Sequence, residues 1–404
     1  MDTKTTIAWT ERYIMQTYRR APVAFVEGNG VRIRDADGKE YLDFVAGIAV
    51  NSLGHNHPRL VRAIQEQAAR LLHCSNLYHI PPQAEVAKLL VEHSPFDRVF
   101  FCNSGAEANE AAIKLARKFA RLHHGPERYG ILTATNSFHG RTLATLAATG
   151  QEKYRKGFEP LPPGFKEVPF NDLKALEEAI DGSTCAVLLE PIQGEGGVIP
   201  ATREYLQGVR ALCDREGLLL ILDEVQTGIG RTGKLFAYEH YGIVPDIVTL
   251  AKGLGGGVPI GAVLAKETVA SAFHPGDHGS TFGGNPLSCT ASLAVLQTIL
   301  EDGFLEHVTR TGDYLLQRLR ELQERSPLIH DVRGIGLMVA VELAVDAAPI
   351  VEACMARGLL VNPVQPKVLR LVPPLIVTRE EVDEAVRILG AVLSEVRGEE
   401  RSQR

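Results

Sequence analysis

Short, uninterrupted apolar runs recur through the middle of this chain, separated by stretches with helical spacing. They are Arg98-Val-Phe-Phe-Cys102, Gly130-Ile-Leu-Thr-Ala134, Cys185-Ala-Val-Leu-Leu189, Leu218-Leu-Leu-Ile-Leu222 and Asp246-Ile-Val-Thr-Leu250. Runs this short and apolar on both faces predict buried strands of a largely parallel sheet covered by helices on each side. Earlier, Val23 to Phe44 alternates around the turn signals Glu27-Gly-Asn-Gly30 and Asp35-Ala-Asp-Gly38, the pattern of a small meander. Late in the chain, amphipathic helices lead into strand-like Gly336–Glu342 and Val368–Val372, and Thr378-Arg-Glu-Glu381 is a capping box opening a last helix. The expected architecture is α/β. A large domain spans residues 59–295, and a smaller α+β domain is built from both chain ends, residues 1–58 and 296–404.

Composition narrows the function. The net charge of −6, without a long run of either sign, lacks the basic concentration that nucleic-acid binding needs. Six scattered cysteines with no C-x-x-C pair read as reduced thiols of a cytoplasmic protein. The first residues carry no apolar core of a secretory signal, and no apolar stretch approaches the ~20 residues of a membrane span. A soluble cytoplasmic protein, with neither membrane nor nucleic acid as partner, is expected.

Two strands end in a way that points to chemistry. Leu218–Leu222 delivers Asp223, and the last run delivers Lys252 just before Gly253-Leu-Gly-Gly-Gly257. Open α/β sheets build their sites at the carboxyl ends of strands. An amine and a carboxylate there are the two groups that pyridoxal phosphate requires, one for a Schiff base and one for the pyridinium nitrogen. Asn103-Ser-Gly-Ala-Glu107 joins a strand to a helix, with Ser104 and Glu107 spaced as a capping box and Gly105 open to close approach. That is either a plain cap or a phosphate seat. In Asn136-Ser-Phe-His-Gly-Arg141, Phe138 either stacks on a flat ring or fills the core, and Arg141 either forks onto a carboxylate or stays solvated. Arg370 lies in an apolar strand and must find an anion. Glu195, in a glycine-rich loop, is its candidate, as a movable or a permanent pair. Ser280 and Thr281 form a glycine-flanked hydroxyl pair suited to phosphate or carboxylate. Two patterns are set aside. Gly228-Ile-Gly-Arg-Thr-Gly-Lys234 matches G-x-x-x-x-G-K, but Leu235 stands where Ser or Thr must hold magnesium. The pairs His55/His57 and His123/His124 lack a third ligand, so no metal is expected.

In order, Asn103–Glu110, Phe138–Arg141, Glu190–Glu195, Leu222–Gln226, Lys252 and Ser280–Asn285 resemble the class III, fold-type I pyridoxal-phosphate aminotransferases. The resemblance covers nearly the whole chain, from Tyr18 to Pro374. It implies that Lys252 bonds the cofactor and moves the proton, and that Asp223 keeps the ring nitrogen protonated. Phe138 and Val225 would sandwich the ring, and Gln226 would reach its phenolic oxygen. Ser104, Gly105 and Ala106 would hold the phosphate, completed by Thr281 of a second subunit, so that a homodimer is the minimal active unit. Arg141 would grip the α-carboxylate of the amino donor with Ser280 nearby, and Tyr18 would be a further substrate-binding residue. Arg370 would bind 2-oxoglutarate, with Glu195 neutralising it when the donor is present. The implied reaction is ping-pong transfer of the δ-amino group of N2-acetylornithine to 2-oxoglutarate, giving N-acetylglutamate 5-semialdehyde and glutamate in arginine biosynthesis. Relatives of the same frame act on succinylornithine, ornithine, 4-aminobutyrate or a carrier-linked lysine precursor. Those acting on ornithine typically carry a tyrosine where this chain reads Ile48, which has no hydrogen bond to offer a free α-amino group. A buried donor left unpaired costs about 1–3 kcal/mol, which favours an acetylated amine.

Overall fold

The computed structural model describes residues 1–402, with side chains through Val396. Its centre is a seven-stranded sheet in the order Arg98–Cys102, Gly261–Ala265, Ile247–Leu250, Leu219–Asp223, Thr184–Leu189, Gly130–Ala134, Phe165–Val168. Gly261–Ala265 is antiparallel to both of its neighbours, and all other pairings are parallel. Arg98–Cys102 therefore runs in the same direction as the parallel strands, and the polar residues following them emerge along one edge.

The five expected strands form, some with ends shifted by a residue. Asp223 closes its strand rather than following it, in register with Thr249. Two further strands carry weaker signals. Phe165-Lys-Glu-Val168 is half polar because it is the sheet edge, and Gly261–Ala265 sits behind a glycine run that reads as loop. The central strands Thr184–Leu189 and Leu219–Asp223 are buried at every position, which is what a sheet covered on both faces requires. The helix Gly105–His124 lies on that sheet through Ala108, Ala111, Ala112 and Ala116, small residues that bring its axis close.

The chain ends meet as expected. Leu359–Leu360 pairs in parallel with Glu40–Asp43, adding a strand to the N-terminal meander Phe25–Asn29, Arg32–Asp35, Glu40–Asp43. A second, antiparallel sheet of Ile329–Ile335, Met338–Leu343, Val368–Leu371 and Asn362–Gln365 carries Arg370. The Thr378 capping box forms in full. Thr378 N–H donates to Glu381 Oε2 (2.9 Å), and Glu381 N–H donates to Thr378 Oγ1 (3.3 Å). No helix among the described residues is long and apolar enough to cross a membrane.

Candidate active site

A cavity of about 420 Å³ opens at the carboxyl edge of the large sheet. Ser104, Gly105, Ala106, Phe138, Arg141, Asp223, Val225, Gln226 and Lys252 all line it. Nine of the expected residues, drawn from four separate strand-end loops, thus share one space.

The helix start is built differently from the expected box. Glu107 N–H donates to Ser104 Oγ (3.2 Å), but the Glu107 carboxylate reaches past Ser104 to the N–H of Asn103 (2.6 Å) and its Nδ2 (2.9 Å). Asn103 is pinned, while Gly105 and Ala106, the first residues of a 20-residue helix, line the cavity at its positive end. That is an anion seat. Gly105 is required there by space. A Cβ would come within 2.6 Å of Val225 Cγ1 and 2.9 Å of Cγ2. Gly105→Ala is expected to weaken phosphate-group binding by about 1–3 kcal/mol, the usual cost of overpacking. Calorimetric titration of the apoprotein with pyridoxal phosphate measures this, and wild-type affinity would remove the close approach from the account.

Asp223 is 4% exposed and fully engaged. Its Oδ2 receives Asn109 Nδ2 at 2.7 Å and lies 2.8 Å from His139 Nδ1, and its Oδ1 accepts the Val225 N–H at 3.0 Å. Thr249 Oγ1 donates in turn to Asn109 Oδ1 (2.8 Å). These partners satisfy both carboxyl oxygens in a place where unpartnered polar atoms would be costly. His139 and Asn109 were not anticipated as site residues. Asn109 left a signal, as a lone polar side chain on the alanine-rich face of its helix. His139 left none beyond its place between Phe138 and Gly140.

Lys252 is partly buried and has a positive φ of 40°, an uncommon backbone state for a residue with a side chain. Burial, and then the charge of Arg370, pull its amine down to about 8, with Glu195, Asp223 and Glu190 opposing. Glu190 accepts N–H groups from Phe138 (3.0 Å) and Gly194 (3.1 Å), tying two site loops together, and burial pushes its pKa up.

Arg370 is wholly buried and forms an ion pair with Glu195, with Nη1 also donating to Gln226 Oε1 at 2.9 Å. Burial opposes ionisation of Glu195, but Arg370 and Lys252 outweigh it and hold its pKa low. Gln226 therefore faces the cavity while bound to Arg370. Arg141 lies over the ring of Tyr154, 4.0 Å from its centroid, and has no carboxylate partner among the described residues.

Four expected residues lie elsewhere in this chain. Ser280 and Thr281 line a separate depression with Phe282, and Ser280 Oγ accepts from Asn103 Nδ2 (3.2 Å). Tyr18 is 72% exposed on the N-terminal segment. Ile48 sits in a one-turn left-handed segment, Ala46–Ala49, exposed and outside the cavity lining, whereas Val50 lines the wall.

The arrangement fits pyridoxal phosphate: an anion seat at a helix N-terminus, an amine depressed to about 8 and a buried carboxylate with three hydrogen-bond partners. Fold and site together define a pyridoxal-phosphate-dependent transaminase. The aminotransferase class-III family model matches residues 13–393, and the chain belongs to that family. It is 60% identical over 97% of its length to the whole of the acetylornithine aminotransferase of Caldanaerobacter subterraneus subsp. tengcongensis. It is 53% identical to the same enzyme of Methanocaldococcus jannaschii, over 96% of this chain and 97% of that one. Among solved structures, the ornithine aminotransferase of Toxoplasma gondii superimposes with a TM-score of 0.95 at 36% identity, covering 99% of this chain and 96% of that one. The N-acetylornithine aminotransferase of Stenotrophomonas maltophilia gives 0.84 at 40% identity, over 97% and 99%.

Proposed function

We propose that this transaminase moves the δ-amino group of N2-acetylornithine to 2-oxoglutarate, a step of arginine biosynthesis. The observation that carries the reading is the imbalance of charge in the cavity. Arg141 is a guanidinium without a carboxylate, whereas both lining carboxylates, Asp223 and Glu190, are committed to protein donors. A donor with a free α-carboxylate finds a partner in Arg141. A free α-ammonium finds none, and the wall of Val50, Val258, Pro259 and Ile260 is apolar. An acylated α-amine suits such a wall. The sequence relatives carry the same substrate name, whereas the backbone superimposes on ornithine and acetylornithine enzymes alike, so side chains decide the substrate.

Pyridoxal phosphate, when bound, supplies a carrier for the amino group and a sink for electrons. Gly105 and Ala106 N–H groups with Ser104 would hold its phosphate, Phe138 and Val225 would flank its ring, and Gln226 and Asp223 would orient it. Lys252 Nζ accepts and returns the proton at the reacting carbon. Arg141 orients the donor. Arg370 takes a carboxylate of 2-oxoglutarate, and Glu195 satisfies Arg370 when that carboxylate is absent.

A homodimer completes the site, with Thr281 reaching the partner's phosphate seat. Support comes from the exposed position of Thr281 beside Phe282 (61% exposed), whose ring meets that of His73 at 5.4 Å, next in sequence to the exposed Leu71 and Leu72.

The deciding experiment is the donor half-reaction, followed by the absorbance of the bound cofactor. N2-acetylornithine is expected to convert the enzyme at least about tenfold faster than ornithine or 4-aminobutyrate, the size of one unpaired buried donor. Equal or faster conversion by ornithine would leave the transaminase in place and overturn the substrate.

A further inference from the structure

The glycine-rich segment Gly228–Lys234 resembles a phosphate loop in sequence and is something else in space. It precedes a short 3₁₀ helix, Ala237–Tyr241, and it is pressed between the cofactor loop and the Arg370 sheet. The approach is tight: a Cβ on Gly336 would meet the Thr232 backbone at 2.5 Å. Its centre is Arg231, only 2% exposed. Arg231 Nη1 donates to Leu337 O (3.0 Å) and Pro373 O (2.5 Å), while Arg231 O accepts the Leu337 N–H (3.0 Å). Leu337 lies in the turn between Ile329–Ile335 and Met338–Leu343. Pro373 lies just past Val368–Leu371, the strand that carries Arg370. Arg231 thus ties the loop after Asp223-Glu-Val-Gln226 to the exit of the Arg370 strand.

A guanidinium buried without a carboxylate is expensive, and satisfying two carbonyls does not require a charge. Among the described residues Arg231 has no ion-pair partner, and its Nη2 is buried and unbonded, as is Nη2 of Arg370. Arg231 is bonded to Pro373, three residues past Arg370 in the chain, and burial, then the charge of Arg370, depress the Arg231 pKa. Here, then, are two buried cations, of which Arg370 alone is paired with a carboxylate, Glu195.

We propose that Arg231 is a positioning residue for the amino acceptor: its grip on Leu337 and Pro373 holds the exit of the Arg370 strand in place, and its unneutralised charge adds to the positive field that selects a second carboxylate. The inference rests on the assignment of Arg370 to the acceptor. A donor lacking that carboxylate leaves the excess positive charge standing, whereas a dicarboxylate acceptor cancels it.

The test uses the holoenzyme and glutarate, an unreactive dicarboxylate, in calorimetry alongside both half-reactions. Arg231→Gln keeps a donor for the carbonyls and removes the charge, and Arg231→Lys keeps the charge. Glutarate binding and the KM for 2-oxoglutarate are each expected to weaken roughly tenfold in Arg231→Gln, as for loss of one nearby buried charge. The donor KM should move less than about threefold, and Arg231→Lys should restore glutarate binding to within about threefold of wild type. Wild-type glutarate affinity in Arg231→Gln, or equal losses in both half-reactions, would overturn the proposal. Should Arg231→Gln fail to fold, Arg231→Lys decides alone: retained binding supports the charge, and a tenfold loss refutes it. Failure of the wild-type enzyme itself to bind glutarate or turn over 2-oxoglutarate would instead remove the acceptor assignment.

Discussion

Replacing Lys252 by alanine is expected to lower transaminase turnover by at least about 10⁴-fold, because a positioned acid–base group and its covalent link vanish together. The effect should be chemical and not structural. The phosphate seat at Ser104–Ala106 and the donors to Asp223 come from other loops, so Lys252→Ala protein should still take up pyridoxal phosphate, with an altered absorbance. A small soluble amine such as methylamine should recover part of the rate. The wild-type amine lies near 8, depressed first by burial and then by Arg370, so its free-base fraction grows as pH rises through that value. Reconstitution of the apoprotein should accordingly slow by about tenfold per pH unit below 8. Near-normal turnover in Lys252→Ala would sink the central assignment. A flat pH profile would sink only the depressed amine.

Lys252 and Asp223 were legible in the sequence because each is the first polar group at the end of a run of residues that cannot face water. Burial writes that signal locally. The same logic found Arg370, a charge inside an apolar strand, and paired it with Glu195 across 175 positions, since a buried guanidinium needs an anion. The five central strands were readable for the same reason. Phe165–Val168 was not, because an edge strand need not be apolar on both sides. Gly261–Ala265 was not, because its antiparallel entry needs no helix before it. Glu107 misled by one residue: S-x-x-E spacing fits a box on Ser104, yet its carboxylate prefers the two donors of Asn103. The contacts of His139 and Asn109 with Asp223 depend on loops and helices separated by 84 and 114 positions, and no local pattern encodes such a meeting. Arg231 is the counterpart case, part of a phosphate-loop pattern that Leu235 rules out, and its hydrogen bonds tie the loop to the sheet that carries Arg370.

The carboxylate of Asp223 is where the second large effect lies. Asp223→Asn is nearly isosteric and can retain a carbonyl oxygen toward the Val225 N–H or toward Asn109, so the fold should survive. If Asp223 faces the ring nitrogen as proposed, a negative charge beside it goes, and with it the stabilisation of charge that develops as the proton leaves the substrate. Loss of one such preorganised electrostatic partner lowers kcat on the order of 10²- to 10³-fold. On the proposed assignment ground-state binding has other anchors, Arg141 for the donor and Arg370 for the acceptor, so KM for both substrates should stay within a few-fold of wild type. That split separates electrostatic stabilisation from simple damage, since a misfolded site would raise KM as well. The surrounding donors make the substitution more than a loss of charge. His139 Nδ1 and Asn109 Nδ2 both face Oδ2, so an amide nitrogen placed there opposes Asn109 and forces a flip that sets the carbonyl toward them. The flipped amide then points its NH₂ at the Val225 N–H, weakening the 3.0 Å bond that fixes Val225 beside the ring. Either orientation leaves one donor facing another. A modest fall in melting temperature should therefore accompany the fall in kcat. An Asp223→Asn enzyme with wild-type kcat would show that the ring nitrogen is governed by some other group.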